Sequence, residues 1–196
     1  PVLMQDGRVW MSLTPMEIAT AEPAAEAASG RVLTYGAGLG YFPCMASMKD
    51  DVSEVVVVEK DPAIATLFEE RILPQFPARR KVKLIRGDAF RYLEGVKDGE
   101  FGFVFADAWD SSFDFGPWSK SVRACAKFRE TRVMAWIEDL ILLNLKLWAC
   151  WRLCSAVLGE ERRSAMNEDI LNRLLRNVEI ASEDDVESLM DPASLR

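Results

Sequence analysis

Residues 31–61 read RVLTYGAGLGYFPCMASMKDDVSEVVVVEKD, and this stretch decides the fold. An apolar run ends in a loop with glycines at 36, 38 and 40, and a helical stretch follows. A second apolar run, Val55 to Val58, then stops at Glu59. The pattern predicts a strand–loop–helix–strand unit with a carboxylate at the tip of its second strand. Such a unit suits a nucleoside, because loop N–H groups meet the polar end of the ligand and the acid accepts from the ribose hydroxyls.

The glycine spacing separates two kinds of nucleoside site. A dinucleotide fingerprint requires G-x-G-x-x-G, whereas this loop has G-x-G-x-G, with Tyr41 where the last glycine would fall. Together with Gly87-Asp88-Ala89-Phe90 downstream, the loop resembles that of the class I S-adenosylmethionine (SAM) dependent methyltransferases and their relatives, the polyamine synthases. The resemblance covers residues 1 to about 140.

The resemblance implies a cofactor, SAM, and a role for each matching residue. Gly36, Gly38 and Gly40 would face its methionine moiety, and Glu59 would hold its ribose. Asp88 and Ala89 would serve the adenine end, with Asp88 meeting the adenine amine.

The predicted fourth strand of the core ends at Asp107, and Asp110 follows three residues later. A carboxylate at a strand end, beside the sulfonium of SAM, would take a proton from an attacking amine or hydroxyl. Polyamine synthases carry a D-x-x-D pair here whose first acid is the base. The resemblance therefore implies catalytic roles for Asp107 and Asp110, with Asp107 also touching the cofactor. The Tyr-His-Glu of that family and the acid of its glycine loop are missing from this chain.

Composition excludes several other kinds of chemistry. The 196 residues contain no histidine, which removes histidine-based nucleophilic couples and histidine metal sites; we expect no metal site. A net charge of −7 argues against nonspecific nucleic-acid binding. The four cysteines form no C-x-x-C pair and are expected to be small buried residues in a reducing cytosol.

Apolar runs alternate with helical segments through most of the chain. They predict strands at 31–35, 55–59, 82–86, 101–106 and 132–137, and helices at 40–48, 62–73, 89–93 and 120–127. This alternation indicates an α/β fold, a Rossmann-like doubly wound and mostly parallel sheet of about five strands. Asp6-Gly7 predicts an N-terminal hairpin over 1–13. A capping box at Thr14 opens a helix that Pro23 should kink or end.

After the fifth strand the chain reads as helical, and the two C-terminal strands of a full methyltransferase sheet are not evident. We predict one domain with a hairpin (1–13), a core (14–140) and a helical tail (141–196). The predicted helices after the fifth strand span 138–158, 167–178 and 182–190. Charges within 137–158 favour a buried helix over a membrane span. The start at Pro1 suggests that upstream residues are missing, and we expect a cytoplasmic location because no signal peptide is visible.

Three functions remain open at this point. The first is a SAM-dependent methyltransferase acting on a small polar or amine-containing acceptor. The second is a noncatalytic SAM- or nucleoside-binding protein, and the third is an aminopropyltransferase, which the acid-free glycine loop disfavours. The expected partner is a small-molecule acceptor, with neither nucleic acid nor membrane, and the helical tail offers a possible homodimer surface.

Overall fold

The computed structural model describes residues 1–5, 7–109 and 111–158. Asp110 and the helices predicted over 167–178 and 182–190 lie outside the described residues. Seven strands and six α-helices follow one another in this part of the chain: β1 (Val2–Gln5), β2 (Arg8–Ser12), α1 (Pro15–Ala27), β3 (Gly30–Tyr35), α2 (Tyr41–Ser47), β4 (Val52–Glu59), α3 (Pro62–Leu67), β5 (Val82–Arg86), α4 (Ala89–Glu94), β6 (Phe103–Ala106), α5 (Phe115–Cys125), β7 (Arg132–Ala135) and α6 (Glu138–Leu158).

The main sheet has five parallel strands in the order β5-β4-β3-β6-β7. From β3 the chain runs outward through β4 to β5, then returns to the other side of β3 for β6 and β7. The strand order therefore reverses beside β3, and in open parallel sheets ligands bind at the carboxyl ends of the strands near such a point. This architecture confirms the predicted Rossmann-like fold with a parallel sheet of five strands. In the described residues no antiparallel strand follows β7.

Apolar packing covers the sheet. Strand β4 is buried from Val55 through Glu59, as expected for a central parallel strand with both faces covered. Phe42 of α2 stacks on Phe105 of β6, with ring centroids 4.2 Å apart. The buried cluster draws on α1, α2, α3 and three strands; its largest members are Phe42, Phe68, Phe103, Phe105, Val32, Val52, Val55, Val57 and Ile64.

The side chains predicted to cap the N-termini of α1 and α3 form these caps in the structure. The Glu17 N–H donates to Thr14 Oγ1 at 3.2 Å, and Glu17 Oε2 accepts from the Thr14 N–H at 3.0 Å, which completes the capping box. Asp61 caps α3 by accepting from two backbone N–H groups, with a proline at the first helical position.

Several predicted boundaries were wrong. Of the two outcomes expected at Pro23, a kink or an end of the helix, the end is wrong: helix α1 continues to Ala27, and Ala24 and Ala25 of the following turn are buried in the core. The predicted helix over 62–73 is α-helical only to Leu67 and continues as a π-helix, Phe68–Ile72. Helix α5 begins at Phe115, five residues before the predicted start.

The chain divides into two compact units. The first comprises Pro1–Trp109 and Lys120–Ile137 and holds both sheets. The second comprises Asp110–Ser119 and the chain from Glu138 onward; within it the Asn144 side-chain amide donates to Ser112 Oγ at 2.8 Å. The division of the chain into hairpin, core and tail as one domain stays a prediction.

The apolar segment near the end forms helix α6, as predicted. None of the helices in the described ranges is long and apolar enough to cross a membrane. Cys44, Cys125 and Cys150 are buried, as predicted for these three cysteines.

Candidate functional site

The glycine loop connects β3 to α2 at the carboxyl edge of the sheet. Gly36, Gly38 and Gly40 have φ values of +73°, +49° and +79°, a region that residues with a Cβ rarely adopt. Two backbone hydrogen bonds fix the loop. The Gly36 N–H donates to Val58 O, and the Gly40 N–H donates to Ala37 O, each at 2.9 Å. The loop conformation is therefore one that the glycine pattern dictates.

Three of the predicted site residues meet at the start of this loop. A Cβ built on Gly36 would lie 3.5 Å from the backbone oxygen of Asp107 and 3.8 Å from Glu59 Oε2. The carboxyl ends of β3, β4 and β6 thus converge, as the sheet order requires. The catalytic and binding roles of these residues stay predictions.

Glu59 is a backbone clamp. Its Oε2 accepts from the Ala37 N–H at 2.8 Å, and its Oε1 accepts from the Asp61 N–H at 2.7 Å. Only 7% of the residue is exposed. The sequence indicated a ribose acceptor and missed this second task, in which one carboxylate joins the glycine loop to the N-terminus of α3. Each carboxylate oxygen retains a lone pair after accepting one of these bonds.

The middle of the loop carries unused donors. The N–H groups of Gly38 and Leu39 make no hydrogen bond to any described residue, and both residues are partly exposed. A Cβ on Gly38 would lie 2.8 Å from Cε and 2.9 Å from Sδ of Met11, so this side chain is in contact with the loop. Met11 was not predicted to belong to the site, because nothing in the hairpin sequence shows where its side chains point.

The end of the loop is closed by apolar packing. A Cβ on Gly40 would approach Ile72 Cγ2 to 2.7 Å and Phe68 Cε2 to 3.0 Å. Both neighbours belong to the π-helical turn that follows α3. Gly40 therefore lacks space for a side chain and also needs its positive φ as the N-cap of α2.

Asp88 lies beyond the end of β5 and is exposed. Its Oδ1 accepts from the Arg91 N–H at 3.0 Å, which makes it the N-cap of α4, and Ala89 is the first residue of that helix. The preceding Gly87 N–H donates to Glu59 O at 2.8 Å, so this turn is fastened to the tip of β4. Capping explains Asp88 structurally, and its adenine contact stays a prediction.

Beyond β6, Asp107 is half-buried and Trp109 is almost fully buried. The indole N–H of Trp109 has no hydrogen-bond partner among the described residues, which is unusual for a buried donor. Asp110, the second acid of the predicted pair, lies outside the described residues.

Tyr35 at the end of β3 is buried and packs edge-on against Phe90. Its hydroxyl oxygen lies 3.2 Å from Cys125 Sγ, and burial, followed by the nearby Cys125, raises the pKa of Tyr35 far above its usual range. This tyrosine is a core residue and does not act as an acid or base near neutral pH.

In the second unit, burial raises the pKa of Glu138 above its ordinary value. The Trp118 indole opposes this rise, and the charge of Asp139 adds to it. Glu138 opens α6.

Comparison with known proteins supports the fold assignment. No protein-family model and no curated protein matches the sequence. The SAH-bound methyltransferase PaMTH1 of Podospora anserina is similar in structure, with a TM-score of 0.51 and 20% identity, covering 93% of this chain and 72% of that chain. At this identity the likeness shows the fold: the chain has the fold of a SAM-dependent methyltransferase.

Two further solved structures are similar to part of this chain, with lower TM-scores. Precorrin 8W decarboxylase from Methanobacterium thermoautotrophicum gives a TM-score of 0.47 at 18% identity, with 64% of each chain covered. Spermidine synthase from Thermotoga maritima gives 0.46 at 15% identity, covering 61% of this chain and 42% of that chain. The chain thus spans less than two thirds of the length of either protein.

Proposed function

We propose that this chain binds SAM at the glycine loop and transfers its methyl group to a small polar or amine-containing acceptor. The observation that carries the proposal is the pair of unused N–H donors at Gly38 and Leu39, set between positive-φ glycines at the reversal point of the sheet. Backbone donors in this position suit a carboxylate such as that of the methionine moiety. A solved structure with this fold holds SAH, the product of methyl transfer from SAM.

The other predicted contacts complete the ligand. The free lone pairs of Glu59 would accept from the ribose hydroxyls, and the exposed carboxylate of Asp88 would accept from the adenine amine. Gly36 leaves the backbone oxygen of Asp107 close to the loop, where it would accept from the ammonium group of the ligand.

The reaction requires little from the protein besides position and proton removal. When bound, SAM would supply a methyl group on its sulfonium, which an acceptor lone pair would take while the carbon–sulfur electrons return to sulfur as a neutral thioether. The Asp107 carboxylate would take the proton that an amine or hydroxyl acceptor releases. SAM supplies the activation through its sulfonium, while the protein supplies orientation and a dry environment.

The test is a calorimetric titration with SAM, SAH, decarboxylated SAM and methylthioadenosine. Asp88→Ser provides the matched variant, because serine preserves the helix cap while shortening the side chain so that it no longer reaches the ligand. We expect micromolar binding of SAM and SAH, weakened about tenfold in Asp88→Ser, as for the loss of one charged hydrogen bond.

The outcomes separate the alternatives. Preference for decarboxylated SAM would replace methyl transfer with aminopropyl transfer, despite the acid-free loop. Binding of SAM without turnover across a panel of amine and hydroxyl acceptors would leave a noncatalytic binding protein. Failure of all four ligands to bind would refute the nucleoside site.

A further inference from the structure

The hairpin contains a bulge that decides which way Met11 points. Val2 pairs with Ser12 and Leu3 with Met11, but Met4 pairs with Val9, so the register shifts by one between Leu3 and Met4. Residue 10 is therefore an extra residue on β2. A bulge of this kind changes the face on which the following side chains lie, and bulges commonly re-aim a side chain next to a site.

Exposure shows the result of this change. Val9 and its partner Met4 are 62% and 59% exposed, and they form the outer face of the hairpin. Met11 and its partner Leu3 are partly buried, and Leu3 packs against the hydrophobic core. In a regular strand without the bulge, Val9 and Met11 would lie on one face, because side chains of a strand alternate with a period of two. The bulge turns Met11 inward, onto the glycine loop.

Met11 touches the loop at the residue where the unused donors begin. Its Cε and Sδ approach the Cβ position of Gly38 to within 3 Å, and the free N–H groups belong to Gly38 and Leu39. A carboxylate that accepts from these two donors has to lie beside Gly38, and so beside Met11. The methylene groups that connect such a carboxylate to the rest of its ligand would meet a flexible, polarisable thioether, which adapts readily to an apolar neighbour.

We infer that Met11 is a specificity-determining residue that forms the wall of a subsite for the amino-acid tail of the ligand, with the N–H groups of Gly38 and Leu39 as its floor. This inference rests on the proposed function. The wall excludes water from the charged hydrogen bonds at the floor, and such bonds strengthen as the local dielectric falls. The adenosine part of the ligand lies outside this subsite, so Met11 discriminates among ligands by their tails.

A comparison of two ligands tests the inference. SAH and methylthioadenosine share adenosine and a thioether sulfur, but methylthioadenosine carries a methyl group where SAH has its amino-acid tail. Both are titrated calorimetrically into the wild-type chain, Met11→Ala and Met11→Leu. We expect Met11→Ala to weaken SAH binding about tenfold and to change methylthioadenosine binding less than about twofold. Met11→Leu keeps the apolar volume and should bind both ligands nearly as the wild type does.

Each outcome supports or overturns the inference. Equal weakening of both ligands by Met11→Ala would show that Met11 only holds the hairpin against the loop, and unchanged binding of both would show that it does not face the ligand. Either result leaves the proposed function in place. If the wild-type chain bound neither ligand, the proposed function itself would fail and the inference with it. Urea unfolding of both variants establishes that each is folded during the titrations.

Discussion

Replacing Glu59 by glutamine should destabilise the protein in the absence of any ligand. The wild-type carboxylate accepts from two backbone N–H groups, those of Ala37 and Asp61, and is almost fully buried. Glutamine has nearly the same size, but its side chain offers one acceptor oxygen and one amide group. The oxygen can satisfy one N–H, while the amide meets the other N–H as donor against donor.

The size of the effect follows from the bonds lost. A hydrogen bond to a charged group contributes about 1.5–3 kcal/mol, and an unsatisfied buried donor costs a similar amount. Because one of the two bonds remains in neutral form, we expect Glu59→Gln to lower the free energy of unfolding by about 2–3 kcal/mol. With a typical urea dependence, the unfolding midpoint should fall by about 1 M.

Urea unfolding followed by circular dichroism measures this change. Glu69→Gln is the matched control, because it makes the same substitution in an exposed ion pair, Glu69 to Arg86 at 2.8 Å. Such pairs contribute at most about 1 kcal/mol, so the control should change little. A Glu59→Gln midpoint equal to that of the control would refute the backbone clamp. If the clamp exists, loss of ligand binding in a Glu59 variant cannot be assigned to the ribose contact alone.

Three other predictions concern the loop, an exposed acid and a buried thiol. Gly40→Ala should destabilise the fold by about 2–4 kcal/mol, from left-handed backbone and overpacking against Ile72, whereas Gly87→Ala, with open space around it, should change unfolding little; equal effects would contradict this. Desolvation acts to raise the pKa of Asp98, but backbone N–H groups at 129–131 outweigh it and lower that pKa below 3.8. The stabilisation that these bonds give to the Asp98 carboxylate is therefore complete above the pKa of Asp98 in the unfolded chain and is lost as pH falls through its pKa in the folded chain. The difference in unfolding free energy between wild type and Asp98→Asn should then shrink below about pH 4. A difference that stays constant down to about pH 2 would disprove this account of Asp98. Burial raises the pKa of Cys44 to about 12, so iodoacetamide should label it far more slowly in the folded than in the unfolded chain, as mass spectrometry of the Cys44 peptide would show, and equal rates would count against the buried site.

Sequence patterns predicted the architecture well because the relevant signals are local. Valines at 55–58 indicate a strand buried on both faces, and Asp61-Pro62 indicates a helix start; both features formed as expected. Boundaries failed where packing overrides local preference. Helix α1 continues through Pro23 because buried alanines hold its next turn, and the π-helical turn at 68–72 has no signature in the sequence.

The sequence predicts which residues belong to the candidate site, but it does not predict the contacts between them. The glycine spacing dictates positive φ at Gly36, Gly38 and Gly40, and strand order brings the ends of β3, β4 and β6 together. Two features depend on distances that no pattern encodes. One is the pair of backbone N–H groups held by Glu59, and the other is the contact of Met11 with Gly38.

The hairpin bulge has a consequence for how this protein can change over generations. If residue 10 entered the regular ladder in place of the bulge, Met11 would lie on the same face as Val9 and would no longer contact the loop. Substitution of Met11 by another large apolar residue would be tolerated far more easily than loss of the bulge. Relatives that use the same subsite should therefore preserve the pairing of this position with that of Leu3 more strictly than the identity of the residue.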